Sequence, residues 1–450
     1  MSETHDLPLN GVVEGFYGRP WTPAQRLQLF GWLRDAELKA YLYAPKDDLK
    51  HRALWRELYE PAEASDLQRL IEQCAAHGLE FIYALAPGLD ITAANESDVA
   101  ALKAKLEQVH QLGARHAAVL WDDIPAQLVE ADRKAFGTPA AAQCAVTNRV
   151  YEAVRQRNGR LLFCPTVYCG RMAEPTVRES AYLQEIGAKL APGVEFLWTG
   201  PEIISESIPI ESIRELRGVI RRKPVLWDNL HANDYDMRRL YLGPYSGRPA
   251  ALRDEINGVL LNPNGQFPVN YVPIHTLGAY LRPSTPPNPR EAYRLAVTAW
   301  LPRLAGRGRT SLTFEEVELL GDLLYLPCDF GDRAQRYLED FIRLLRTPPA
   351  GWGEAQVRFE QTTRQIVTIY DKLTELRDRD LLYSLYPHVW ELKETALLLL
   401  AWVDWRRQHP EPGARFRSRD FRPRVYRGGF VATLERLLPM DDEGWFNPAA

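Results

Sequence analysis

Eight short β-type runs, each followed by helix-type sequence, constrain this chain more than any other feature. The runs are Gly11–Phe16, Ala40–Ala44, Glu80–Leu85, His116–Trp121, Leu161–Val167, Val194–Trp198, Pro224–Trp227 and Gly258–Leu261. Strands that alternate with helices are parallel strands joined by crossovers, and eight such units close into a (β/α)8 barrel of the TIM type. An open doubly wound sheet is the alternative. The sixth run, and the long segment between the seventh and eighth, fit the pattern least well.

Helix-start signals fall between the runs. Thr22-Pro23-Ala24-Gln25 offers an N-cap threonine, proline at the first helical position and a capping-box glutamine. Ser65-Asp66-Leu67-Gln68 repeats the capping-box spacing ahead of an apolar stripe through Leu67, Leu70, Ile71 and Cys74. The pattern then breaks at Pro283-Ser284-Thr285-Pro286-Pro287-Asn288-Pro289, which suits neither a helix nor a central strand. Beyond it the period is helical. Thr313-Phe314-Glu315-Glu316 is a capping box, and Asp332–Leu345, Glu354–Arg377 and Asp380–Gln408 read as helices, with Pro348-Pro349 and Pro410–Arg427 as connections. The expected organisation is a barrel over residues 1–283, a proline-rich linker over 284–289 and an all-α helical bundle over 290–450.

Composition excludes some partners. A chain that is 46% hydrophobic and 25% charged, with a formal net charge of -4, gives no reason to expect nucleic acid or an anionic membrane. The longest apolar run, near Ala396–Val403, is far short of the ~20 residues a membrane span needs. The opening MSETHDLPLN lacks a basic region followed by an apolar core. Cys74, Cys144, Cys164, Cys169 and Cys328 are few, odd in number and not in CxxC pairs, which points to reduced thiols in a cytoplasm and to no zinc site. His231 and His275 lack metal-ligand spacing and read as structural.

In a barrel, function collects in the loops at the carboxyl ends of the strands. The first run is followed by Gly15-Phe16-Tyr17-Gly18, the second by Pro45-Lys46-Asp47-Asp48, the third by Pro87-Gly88-Leu89-Asp90 and the fourth by Asp122-Asp123. The fifth leads to Tyr168, the seventh to Trp227-Asp228-Asn229 and on to Asp234, and the eighth to Asn262-Pro263-Asn264. Carboxylates, amides, a lysine and aromatic rings on one rim suit a sugar, whose hydroxyls need hydrogen-bonding groups and whose C–H face needs aromatic surface. Taken singly, each residue has an ordinary reading. Tyr168 and Trp227 could equally be core, Asn229 and Asn264 turn residues, and Lys46 a surface lysine. Two carboxylates directly after the buried run Ala117–Trp121 are harder to place, because burying them is costly unless they are hydrogen-bonded or employed. Consecutive strand residues point to opposite faces, so Asp122 and Asp123 can converge only if the chain turns out of the strand, as Ile124-Pro125 suggests.

Five of these segments, in order, resemble the motifs of glycoside hydrolase family 84, the O-GlcNAcases and related β-N-acetylglucosaminidases. They are Gly11–Gly18, Tyr43–Asp48, Trp121–Asp123, Trp227–Asp234 and Asn262–Asn264. Leu324–Pro327, Leu385–Trp390 and Tyr426–Gly429 are similar to the helical stalk region of the animal members. The resemblance implies a retaining exo-β-N-acetylglucosaminidase that works through an oxazoline formed by the substrate's own acetamide. Asp122 corresponds to the carboxylate that orients the acetamide and Asp123 to the general acid/base. Gly15, Lys46, Asn229, Asp234 and Asn264 match sugar-contacting positions, Tyr168 the tyrosine near the acetamide, and Trp227 part of that pocket's wall. The resemblance further implies an N-acetylglucosamine-bearing glycoprotein or glycan as substrate, no cofactor, and a homodimer through the stalk. The long insert and acetyltransferase-like domain of the animal proteins are missing from the chain. An endo-acting hyaluronidase-type hydrolase, or a non-catalytic N-acetylhexosamine-binding scaffold, are the competing readings.

Overall fold

The computed structural model describes residues 8–125, 127–282, 286–307, 311–411 and 413–418, with positions 437–439, 441, 445 and 446 near the C-terminus. Pro283–Thr285, the Tyr426–Gly429 motif and most of the Pro410–Arg427 connection therefore lie outside the described residues. Strands β1 (Gly11–Glu14), β2 (Ala40–Tyr43), β3 (Glu80–Leu85), β4 (His116–Leu120), β5 (Leu161–Cys164), β6 (Val194–Trp198), β7 (Pro224–Asp228) and β8 (Val259–Leu261) pair in parallel, each with the next, and β1 closes on β8. All eight runs are strands, the sixth included, and the sheet is a closed barrel rather than an open one.

Side-chain alternation sorts each strand into two faces. Val13, Leu42, Ile82, Ala84, Ala118, Leu120, Leu162, Leu197, Val225 and Leu260 form the cluster inside the barrel. Their neighbours Val12, Tyr41, Tyr83, Val119, Phe163, Phe196, Leu226 and Leu261 pack outward, in one cluster with helix residues such as Phe30, Leu70 and Ile71. Both faces are buried, which is why the runs read as continuously apolar. The rule also reaches past the strand ends: residues in step with the inner set are aimed at the mouth of the barrel.

The helix starts partly follow the expected signals. Thr22 caps the helix Pro23–Asp35 with both arms of its box, its hydroxyl accepting from Gln25 N and its own N–H donating to Gln25 Oε1 at 2.9 Å. The helix carrying Leu67, Leu70, Ile71 and Cys74 begins one turn earlier than Ser65, at Pro61, with Glu60 N donating to Glu63 Oε2 at 2.8 Å. Proline at the first helical position decides that start. The long segment between β7 and β8 carries only the 3-10 turn Ala250–Asp254 among its described residues, so the seventh crossover has no α-helix.

The chain divides into two compact units, Met1–Arg303 with Val317–Gly331, and Leu304–Glu316 with Asp332–Ala450. The helix Pro289–Trp300 thus groups with the barrel, as does the Leu324–Pro327 segment. In the second unit Asp332–Arg346, Gly353–Leu373 and Arg379–Gln408 are helices whose core is Leu344, Trp352, Ala355, Phe359 and Val403. Among the described residues no helix is long and apolar enough to cross a membrane.

Candidate active site

The carboxyl ends of the strands surround a cavity of about 260 Å³ lined by Gly15, Tyr17, Lys46, Asp122, Asp123 and Tyr168, with Trp198, Ile203, Trp227, Asn229, Asp234 and Asn262 among the others. Asp122 follows Leu120 in the inward set and so faces the cavity without any distortion of the strand. Asp123, in the outward set, joins it because its backbone turns to φ +51°. Aspartate tolerates this left-handed conformation better than most residues. The turn resolves the geometric objection to neighbouring aspartates sharing one site.

The two carboxylates meet different surroundings. Asp122 is buried, pairs through Oδ2 with Lys46 Nζ, and its buried Oδ1 has no hydrogen-bond partner among the described residues. Burial works to raise its carboxyl, but the charge and hydrogen bond of Lys46 outweigh it and hold the group below the usual carboxylate value. Lys46 is fixed in turn against the face of Trp227, 5.6 Å from the ring centroid. His51 lies behind this pair, its Nδ1 bonded to Ala84 O at 2.8 Å. Burial first and the Lys46 charge second push it down to about 4, so it is a neutral neighbour at ordinary pH.

Asp123 instead accepts two hydroxyl groups, Tyr168 on Oδ1 at 3.0 Å and Tyr17 on Oδ2 at 2.9 Å. Burial and the charge of Asp123 raise both phenols above their ordinary value, so they act as donors. Arg52 completes this side, donating to Tyr17 Oη at 2.6 Å and to the Asp123 carbonyl at 2.9 Å.

The loops are held by groups on the outer set. Glu14 receives Arg26 through both carboxylate oxygens, at 2.9 and 2.7 Å, and Trp21 N at 3.0 Å, fixing the loop after β1. That loop ties sideways to its neighbours, with Tyr17 N on Asp234 Oδ2 at 2.8 Å and Gly18 N on Asp47 Oδ2 at 2.7 Å. Gly15 is required by packing: a Cβ there would sit 2.2 Å from Trp227 Cζ2. Asp228, buried outside the inner wall, anchors the long loop after β7 through Arg248, Tyr245 and Leu230 N.

Eight of the nine residues singled out from sequence line the cavity: Gly15, Lys46, Asp122, Asp123, Tyr168, Trp227, Asn229 and Asp234. Asn264 does not. It is fully buried, accepting from Tyr241 N at 2.9 Å and donating to Tyr241 O and Asn270 Oδ1. The first asparagine of the same motif stands in the wall. Asn262 donates to Asn229 Oδ1 at 3.0 Å, and its Oδ1 is buried with no partner among the described residues. The inward set predicts this, since Asn262 follows Leu260 by two. Tyr17 belonged to a recognised motif without being picked out, and Arg52, Trp198 and Ile203 carried no signal of their own.

Known proteins resemble this chain in sequence and in fold. The family model for beta-N-acetylglucosaminidase matches residues 10–309. The protein O-GlcNAcases of Rattus norvegicus and Mus musculus are each 52% identical over 274 residues, 61% of this chain but only 30% of theirs. An O-GlcNAc hydrolase mutant of Thermobaculum terrenum superposes with a TM-score of 0.74 at 27% identity, covering 89% of this chain and 83% of the other. The solved structure CpGH84B gives 0.76 at 25% identity, covering 90% and 70%.

Proposed function

The chain belongs to the β-N-acetylglucosaminidases of glycoside hydrolase family 84, and from that premise we propose that it is a retaining exo-β-N-acetylglucosaminidase using its substrate's acetamide as nucleophile. The observation that carries the proposal is the contrast between two adjacent carboxylates, one held ionised with a free buried oxygen, the other on hydroxyl donors.

In the first step the 2-acetamido oxygen bonds to the anomeric carbon as the glycosidic C–O bond breaks, giving a bicyclic oxazoline. Asp122, through Oδ1, accepts the acetamide N–H and offsets the positive charge that develops on the ring. Asp123 gives its proton to the departing oxygen. In the second step water attacks the anomeric carbon, Asp123 takes a proton from it, and the oxazoline C–O bond reopens to the acetamide. Two displacements at one carbon leave the β configuration unchanged. This is the substrate-assisted exception to the two-carboxylate scheme. Lys46 serves by keeping Asp122 ionised, Tyr168 by facing the acetamide, and Trp227 by walling its methyl group. Gly15, Asn229 and Asp234 contact the sugar hydroxyls; the contact expected of Asn264 is reassigned to Asn262.

The names of the relatives suggest β-linked N-acetylglucosamine on protein as the substrate class. We further propose that catalysis resides in the barrel, that the helical part pairs two subunits, and that the protein works in the cytoplasm.

The test compares an aryl N-acetyl-β-glucosaminide with its N-trifluoroacetyl analogue, whose carbonyl is a poorer nucleophile. Turnover of the first with marked loss on the second is expected. Equal turnover of both would remove the oxazoline, and turnover of neither would favour the endo-hydrolase or the binding scaffold.

A further inference from the structure

We infer that Arg52 and Tyr17 form a positioning pair that fixes which oxygen of Asp123 carries the catalytic proton. The inference rests on the acid/base reading of Asp123 given above. A phenol hydroxyl has one proton to donate and two lone pairs with which to accept. Arg52 Nη1 occupies a lone pair of Tyr17 Oη at 2.6 Å, and Tyr17 points its proton at Asp123 Oδ2, 2.9 Å away. The second arm of the guanidinium grips the carbonyl of Asp123 itself, at 2.9 Å. Arginine, Tyr17 and Asp123 thus close a ring, and the fork of the guanidinium suits it to hold two acceptors at once. The ring also pins the backbone of Asp123 where φ is +51°, the turn that brings this residue into the site.

Within that ring Oδ2 is committed as an acceptor. A proton placed on it would face Tyr17 O–H head on, and Tyr17 could not yield without turning its own proton away from the bond. Among the described residues Oδ1 accepts from the hydroxyl of Tyr168 alone, at 3.0 Å. Tyr168 Oη has no second partner among the described residues, so it can rotate and accept. The transferable proton is therefore assigned to Oδ1, and Tyr17 with Arg52 supports the carboxylate left behind when the proton departs.

The charged and titratable groups around Asp123 come from four loops. Tyr17 lies after β1, Lys46 and Arg52 after β2, Asp122 beside it after β4, and Tyr168 with Cys164 at the end of β5. Asp234, after β7, reaches this side only through the N–H of Tyr17. Among the described residues Tyr17 is the one hydroxyl joining Arg52 to the carboxylate, so its removal separates the two.

The test measures kcat/KM against pH for the wild-type protein, Tyr17→Phe, Arg52→Lys and the double variant, on an aryl N-acetyl-β-glucosaminide with a poor leaving group. Losing one donor to the anion should move the alkaline limb upward by about one pH unit in Tyr17→Phe, the equivalent of one charge-assisted hydrogen bond. Arg52→Lys, which can satisfy only one of the two acceptors, should move the limb the same way by less. Added to Tyr17→Phe it should move the limb no further, because the lysine keeps the positive charge and can still satisfy the one acceptor that remains, the Asp123 carbonyl. A purely structural pair would lower activity or thermal stability and leave the limb in place, and that result overturns the inference. So would a full additional shift in the double variant. If Arg52→Lys does not fold, Tyr17→Phe alone decides, since it deletes only a hydroxyl. The acid/base reading fails separately, through a wild-type protein without turnover or an Asp123→Asn variant indifferent to the leaving group.

Discussion

The ends of β4 and β7 each present an aspartate joined to a cation, and the two ion pairs have opposite characters. At β7, Asp228 is in the outward set and both of its oxygens are doubly engaged. Oδ1 accepts from Arg248 Nη2 at 2.7 Å and Leu230 N at 3.1 Å, and Oδ2 from Tyr245 at 2.7 Å and Arg248 Nε at 2.8 Å. Neither side chain of that pair is exposed at all. At β4, Asp122 is in the inward set, has one cation on one oxygen, and leaves the other buried and without a partner among the described residues. A fully satisfied buried pair is architecture; an unsatisfied buried acceptor costs stability unless something else repays it. Strand parity separates the two cases before any chemistry is considered, and Glu14 with Arg26 falls on the architectural side by the same rule.

Removing one member of each pair should break the comparison most sharply. Asp228→Asn leaves the guanidinium of Arg248 buried without its charge partner, and should lower stability by about 3–5 kcal/mol, read by denaturant unfolding. Asp122→Asn also strips a buried cation, Lys46, of its charge partner, but from one oxygen rather than two. It should therefore lower stability by less than Asp228→Asn, while kcat/KM falls about 10²–10³-fold, the usual cost of one preorganised partner to developing charge. Reversed effects would mean that parity does not sort these carboxylates.

The two asparagines that follow β8 give a second, smaller contrast. Asn264→Ala strips the hydrogen bonds to Tyr241 and Asn270 and should cost about 1–3 kcal/mol of stability without raising KM in the folded protein. Asn262→Ala should raise KM for aryl N-acetyl-β-glucosaminides and leave stability close to wild type. A rise in KM confined to Asn264→Ala would restore the original assignment.

The mildest test shifts only the pH dependence. Asp122 is depressed in the folded protein by Lys46 against the opposing effect of burial. A depressed carboxylate contributes stability that is present above its unfolded value and is lost as pH falls through its folded one. Activity that needs the ionised form should therefore persist below the ordinary carboxylate range. In Lys46→Met burial is opposed only by the smaller effects of a backbone hydrogen bond and the Arg52 charge, so the acid limb of kcat/KM should move upward. An unmoved limb would detach Lys46 from Asp122.

Much of this was legible in the sequence because a parallel barrel buries both faces of every strand, and eight apolar runs cannot be hidden. The loops after them were legible because polar residues following such runs stand out. The seventh crossover was not, since a segment held by Asp228 and Arg248 has no periodicity to read. Asn262 and Asn264 look alike in the sequence because both follow β8, but Asn262, the first inward position past the strand, lines the cavity and Asn264 is buried beyond it. Tyr17 and Arg52 escaped because their role lies in a ring of bonds between two loops, which no local spacing records. Trp198 and Ile203 are apolar residues in an apolar setting, and only the closed barrel places them in the cavity wall.

The most direct measurement follows hydrolysis by Asp123→Asn over a series of aryl N-acetyl-β-glucosaminides with graded leaving groups. If Asp123 protonates the departing oxygen, the loss relative to wild type should be about 10²–10⁴-fold on the poorest leaving group. It should shrink steadily towards the best one, which needs no proton. A loss of equal size across the series would contradict the assignment of Asp123 as the acid, and with it the division of labour between the two aspartates.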